Sequence, residues 1–267
     1  MAAFGRSLVV DPGRYTYHES PEDNWRVRFR STAYHNTVTV DERNQVRYEF
    51  HKKRFKVMGP EPDRRLHSFV SAPGFDFVHG AARSREYDAV HERAIFFAVP
   101  DYWIVSDFLI SPTVHNYDLR FHLAPDAASK LSSDADPHRI RIGAPNLDIL
   151  HLCDAATRWS TETGFVSFSY GVRIEAPVIR FSQRGASCAF HTVLYPWKSE
   201  RPRVQIGRQG EALVIRVGTA NSYWTYFYGV APSGATAGWI SNEYKHTGSF
   251  FFVRRDENGN ELRRHTG

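Results

Sequence analysis

Two residues in the first forty could act on a ligand together. Asp11 opens the turn Asp11-Pro12-Gly13 at the end of the apolar run Leu8-Val9-Val10, and His35 precedes the alternating segment Thr37-Val38-Thr39-Val40. The carboxylate either caps the turn, where Pro sets φ and Gly allows the reversal, or it ligates and orients; both readings stand. If the alternating strand runs back through Asn36, His35 shares a face with Thr37 and Thr39, opposite Val38 and Val40. There an imidazole meets solvent, metal or substrate, or serves as a hydrogen-bonded structural group. One carboxylate and one imidazole do not complete a zinc site, which takes three or four ligands. The sequence has no His-x-His or His-x-x-x-His pair to supply them.

Other candidate groups lie between these two. Arg26, Arg28 and Arg30 alternate with Val27 and Phe29. A strand there would line three guanidinium groups on one face, as a clamp for carboxylate or sulfate or as an exposed basic edge. Tyr15 and Tyr17 share a face in an extended chain, suited to stacking on sugar rings or to core packing. Lys52-Lys53-Arg54-Phe55-Lys56 is the densest basic run. With no helix-turn-helix, zinc finger, basic helix or stacking platform beside it, it reads as a solvated face, and no nucleic-acid partner is expected. His115, His122, His151 and His191 fall on strand patterns and read as structural. There is no Gly-x-Ser-x-Gly elbow, and Gly74, Gly80 and Gly143 are isolated, so no phosphate loop is present.

The elements that must position these groups are strands. Alternation is clear in Thr37–Asp41 and in Asp118-Leu119-Arg120-Phe121-His122-Leu123. Further strand patterns cover Phe75–Ala82, Ala94–Val99, Tyr102–Ile110, Arg139–Ile142, Asp148–Leu152, Phe165–Tyr170, Val178–Ser182, Ala189–Tyr195, Ala212–Val217, Tyr223–Tyr228 and Ser249–Arg255. Turn signals such as Val99-Pro100-Asp101-Tyr102 and Gly143-Ala144-Pro145-Asn146 separate them. Asn258-Gly259 reads as a closing hairpin. No segment keeps a 3.6 period for twelve residues; the best helical candidate is the short Ala124–Leu131. Gly59–Arg64 and Ser132–Pro137 read as polar loops. This pattern predicts an all-β fold, a large two-sheet antiparallel sandwich formed as one domain over residues 1–267.

At 267 residues, a compact fold buries about 70–75% of the unfolded surface, so no disulfide staple is needed. Only six of the 34 basic residues are Lys, and Arg is the better grip for carboxylates and sulfates. The net charge of +5 allows a polyanionic partner. No run of 18 apolar residues exists, so no membrane span is expected, and the first residues lack a signal-peptide pattern. The compartment stays open. Cys153 and Cys188 are too few for a disulfide framework or a Cys-rich zinc site and read as buried thiols.

The run Leu8-Val9-Val10-Asp11-Pro12-Gly13-Arg14-Tyr15-Thr16-Tyr17, followed by Arg30-Ser31-Thr32-Ala33-Tyr34-His35-Asn36-Thr37-Val38-Thr39-Val40-Asp41 and Gln45, resembles the start of the C-terminal β-sandwich of heparinase II/III-like polysaccharide lyases. Asp101–Asp107, His115–Leu123, Ser169-Tyr170-Gly171 and Thr192–Pro196 extend the resemblance over essentially the whole chain. It implies a helical toroid ahead of the sandwich, a sugar chain held between the two, and β-elimination beside a uronic acid. It also implies a zinc held by Asp11, His35 and the second His of an upstream His-x-His stretch. In that family a Tyr and a His or Asn of the site come from the toroid. Since Met1 stands only ten residues before Asp11, those parts are not in this sequence, and the resemblance implies a chain that does not cleave polysaccharide unaided. Its expected partners are a toroid, in cis or in trans, and an acidic polysaccharide, heparin-like or alginate-like. Tyr15, Tyr17, Arg26, Arg28 and Arg30 are the expected substrate contacts. A non-catalytic carbohydrate-binding or scaffold module is the alternative.

Overall fold

In the computed structural model, residues 1–18, 22–51, 54–136, 139–153, 156–199, 201, 203–209, 212–218, 223–240 and 245–266 are described. Among them two large antiparallel sheets dominate. The larger has ten strands, in the order Ser132–Asp136, Arg139–Ala144, Leu147–Leu152, Val172–Pro196, Tyr102–His122, Val90–Ala98, Phe75–Arg83 and Asp63–Ala72; Arg158–Ser169 and Val38–Val40 pair alongside the two longest. The smaller has five: Arg203–Gln209, Ala212–Gly218, Tyr223–Val230, Phe250–Arg255 and Glu261–Thr266.

Two sheets make three layers because the two longest strands bend. Tyr102–His122 is buried near both ends, and Val172–Pro196 is largely buried over Ala176–Gln183 and again over Phe190–Pro196; between those stretches both are more exposed, and the register between them slips at Gly185/Ser187. Such an irregularity turns a strand sharply. His151, paired opposite Thr192, stacks on Phe181 with ring centroids 4.0 Å apart. Eleven straight residues would hold positions 181 and 192 about 35 Å apart, so the strand must fold back. One core fills the fold: Leu109 and Phe190 meet Leu119, Phe121, Ile179 and Phe181 there.

The middle layer is buried on both faces, with successive residues serving different cores. Ile149 and Leu194 enter the first core, while Leu150 and Val193 enter a second beneath the five-stranded sheet. The second core is aromatic: Phe77 stacks on Phe250 at 3.9 Å, and Phe96 meets Phe252 at 4.6 Å. A layer covered twice needs apolar side chains at consecutive positions, which explains its near-continuous hydrophobic runs.

The all-β expectation holds, and so does the closing hairpin, with Gly259 at φ +83° between Phe250–Arg255 and Glu261–Thr266. Three local readings need correction. Ser132–Asp136 is a fully exposed edge strand rather than a loop; its acidic side chains give the charged edge that discourages sheet-to-sheet association. Ala124–Leu131 holds only the 3-10 turn Pro125–Ala127. Trp25–Arg30 is an α-helix rather than a strand. Of the densest basic run, Lys52 and Lys53 lie outside the described residues; Lys56 sits in a hairpin strand opposite Glu49. Among the described residues no helix is long and apolar enough to cross a membrane, and both cysteines are free.

Candidate functional site

Leu8, Val9 and Val10 are all buried, so the chain leaves the core abruptly at Asp11. Gly13 turns it at φ +83°, and its N–H donates to Asp11 Oδ1 at 3.0 Å. A Cβ on Gly13 would lie 2.5 Å from the Ser167 carbonyl oxygen, against which the turn is packed. His35 comes from the other side, capping the 3-10 turn Thr32–Tyr34. Its Nδ1 lies 2.8 Å from Asp11 Oδ2. The Asp11 side chain is 63% exposed and that of His35 39%, so the pair stands at the surface. The His35 hydrogen bond, more than any other influence, holds the Asp11 carboxyl below its ordinary range, and the Gly13 N–H adds to it.

Asn36 brings the two together. Its Nδ2 donates to the Val10 carbonyl at 2.8 Å, next to Asp11, and its Oδ1 accepts from the His122 N–H at 2.7 Å. Its own carbonyl accepts from Arg93, whose guanidinium is fixed by the fully buried Asp107. His122 lies beneath the pair and bonds the Ala33 carbonyl through Nε2 at 3.1 Å. Burial, its largest influence, pushes the imidazole down to about 4. It is therefore neutral and structural, as its strand pattern suggests.

An aromatic ladder leads away from His122. Tyr34 lies 6.0 Å from the His122 ring, Phe29 5.1 Å from Tyr34, and Tyr15 stacks on Phe29 at 5.5 Å. Trp25 closes the set against Phe165 at 5.2 Å, and Arg173 sits over the Trp25 ring at 3.7 Å. A second, exposed stack pairs Tyr17 with Tyr170 at 5.8 Å. Arg14 and Arg26 lie over the Tyr17 ring at 5.1 and 5.6 Å.

The helix separates residues that a strand would align. Asn24 caps it by accepting from the Val27 N–H, and Trp25 and Phe29, four apart, share the face that packs on Tyr15. Arg26 turns toward Tyr17, Arg28 pairs with Asp23 at 3.0 Å, and Arg30 lies over Tyr48 at 5.1 Å. The three guanidinium groups therefore do not form one clamp. Tyr15 and Tyr17 likewise do not share a strand face: Tyr15 is left-handed at φ +59°, which sends the two rings into different stacks. Such backbone strain in a non-glycine residue is concentrated at functional sites. Sequence patterns did not single out Asn36, Arg173, Trp25 or Tyr170 as site groups; the strained turn and the long-range ring contacts that assemble them leave no local signal.

Asp11 and His35 offer one oxygen and one nitrogen, donor types that zinc accepts, but zinc takes three or four. Among the described residues no group of three His, Cys, Asp or Glu side chains could hold a metal ion. The pair is a hydrogen-bonded dyad with two of the donors such a site needs.

A family model described as heparinase II/III-like, C-terminal, matches residues 1–206. A heparin-sulfate lyase of Pedobacter heparinus is 24% identical over 213 residues, covering 76% of this chain and 29% of that protein. The crystal structure of the heparan sulfate lyase HepC from Pedobacter heparinus superposes with a TM-score of 0.64 at 20% identity, over 80% of this chain and 33% of that one. A crystal structure of heparinase III gives a TM-score of 0.60 at 19% identity, over 83% and 33%. The chain thus spans about a third of the length of these relatives.

Proposed function

This chain belongs to the heparinase II/III-like, C-terminal family, and from that premise we propose that it is the β-sandwich part of a lyase that cleaves uronic-acid-containing polysaccharide by β-elimination. The observation that carries the reading is the surface dyad Asp11–His35, set beside an Arg- and aromatic-lined wall in a chain of this family.

β-Elimination removes the C5 proton of a uronate, breaks the C4–O bond, leaves a C4=C5 double bond and protonates the departing oxygen. The neighbouring carboxylate must be neutralised before that C5 proton becomes acidic enough to remove. Asp11 holds His35 by Nδ1, which fixes the ring and leaves Nε2 for a ligand or a proton. Arg26 and Arg14 beside Tyr17, and Arg173 over Trp25, supply the charge an acidic sugar needs, and the Tyr17–Tyr170 stack supplies a flat apolar surface for its ring. The remaining acid–base groups would come from a helical partner region, in cis or in trans. A zinc at Asp11 and His35 would draw its further ligands from outside the dyad and would supply fixed positive charge there.

The relatives' names make heparan sulfate the first glycan to try. It is incubated with this chain alone and with this chain joined to the helical region of a relative, and the ultraviolet absorbance of the unsaturated uronate is followed. Product is expected in the joined sample, and His35→Ala should abolish it. No product from a folded joined sample, with heparan sulfate still bound, would favour the second reading, a carbohydrate-binding module without chemistry. The exposed Tyr17–Tyr170 stack suits that reading.

A further inference from the structure

A pocket of about 410 Å³ lies where the turn between Arg139–Ala144 and Leu147–Leu152 meets the segment after Pro196. Its wall includes Arg6, Lys130, Ser132, Asn146, Trp197 and Arg201, and among the described residues none of its lining is acidic. None of them belongs to the Asp11–His35 site or its aromatic wall. The volume falls in the range of small-ligand sites, about 300–1,000 Å³.

The guanidinium groups here are held in place. Asp148, with no exposed side-chain surface, accepts from Arg201 through Nε at 2.9 Å and Nη2 at 2.6 Å, and also pairs with Arg141. One buried carboxylate thus faces two guanidinium groups, leaving a surplus of positive charge. Arg6 is gripped by Asp126, and its Nη1 donates to Asn146 Oδ1 at 2.8 Å. Asn146 in turn donates through Nδ2 to the Trp197 and Lys198 carbonyls at 3.0 and 2.9 Å. The Trp197 Nε1 is buried, and among the described residues it makes no hydrogen bond. Gly143 lets Arg201 lie against the turn, since a Cβ there would collide with its Nη2.

We infer that this pocket binds an anionic sugar unit, its sulfate or carboxylate oxygens taken by Arg6, Lys130 and Arg201. Pre-fixed guanidinium groups suit such oxyanions because little side-chain freedom is lost on binding. The site would give an acidic glycan a second hold on the sandwich. Only the choice of glycan rests on the lyase reading; the pocket's charge does not.

The test is calorimetric titration of the whole chain at low salt. The probes are a sulfated heparin oligosaccharide, its desulfated form with carboxylates only, a neutral oligosaccharide of equal length, and inorganic sulfate. Lys130→Glu and Arg6→Ala are both expected to raise the dissociation constant for the sulfated oligosaccharide about tenfold, the usual cost of losing one charge-assisted hydrogen bond. The desulfated probe distinguishes the oxyanion source: retained binding assigns carboxylate, lost binding assigns sulfate. Equal binding of the neutral oligosaccharide, unchanged affinity in both variants, or binding of inorganic sulfate with no gain from the sugar would overturn the inference. If β-elimination fails while these variants still weaken glycan binding, the lyase reading falls and the pocket stands.

Discussion

Asp11–His35 and Asp107–His91 are both carboxylate–imidazole pairs with short contacts, at 2.8 and 2.6 Å, yet they do opposite work. Asp107 has no exposed side-chain surface; besides His91 it holds Arg93 through Nε at 2.6 Å and Nη2 at 3.1 Å. Asp11 and His35 stand at the surface, and among the described residues only Gly13 shares the carboxylate through its backbone. A buried charge persists only when its hydrogen bonds are satisfied, so the Asp107 group is saturated and has nothing left for a ligand. The surface dyad retains spare capacity because water can satisfy it until a ligand arrives. The two are linked through Arg93 and Asn36, so the saturated pair is the footing of the available one.

The largest way to test this contrast is Asp107→Ala. Removing one partner of a buried network typically costs about 3–5 kcal/mol, and denaturant unfolding should show a loss of that size. The same group predicts the acid limb of stability. Arg93 and His91 hold the Asp107 carboxyl down from 3.8 to about 2 against its burial. Its contribution is therefore complete above about pH 4 and disappears as pH falls toward 2, because the unfolded chain binds the proton first.

Asn36→Ala comes next. It leaves the Val10 carbonyl and the His122 N–H without their side-chain partner, at a cost of about 1–3 kcal/mol. It should also loosen Asp11 from His35, which the imidazole nitrogen resonances of His35 would report; a drop in stability with unchanged resonances would break the proposed link.

A third carboxylate pairing lies between the extremes. His115 binds Asp41 at 2.6 Å and also Asp88, and the Asp41 hydrogen bond, its largest influence, raises its imidazole above 6.5. Its stabilisation is present below about pH 6.5 and lost as pH rises through the raised value. His115→Asn should flatten that part of the stability–pH curve, with a change under about 1 kcal/mol because its two carboxylate partners are partly open to water.

The smallest stability effect belongs to the dyad. Asp11→Asn and His35→Ala should each shift unfolding by less than about 1 kcal/mol, while removing product formation in the joined enzyme. A large loss of stability from either would erase the distinction between the two pairs.

Much of the sheet structure was legible because strands and turns are local. Alternation in Thr37–Asp41, the Pro145-Asn146 turn and Asn258-Gly259 each specify themselves within a few residues. Arg26–Arg30 misled for the same reason: its two-residue alternation fits a strand, and the competing Trp25–Phe29 spacing wins only because Tyr15 and Phe165 wait to receive those rings. The edge strand Ser132–Asp136 has no apolar face at all, so only its neighbour Arg139–Ala144 makes it a strand.

By itself the sequence determined an all-β chain rich in Arg, with a carboxylate at one strand end and an imidazole before another strand. Those are properties of composition, period and turn chemistry, which act over a handful of residues. Tertiary structure alone decided that Asp11 and His35, 24 positions apart, meet at 2.8 Å. It also decided that His122 lies buried beneath them and that the long strands fold back to bury the middle layer twice. Contacts of that kind depend on which distant groups satisfy a buried amide or guanidinium, and no local pattern records that choice.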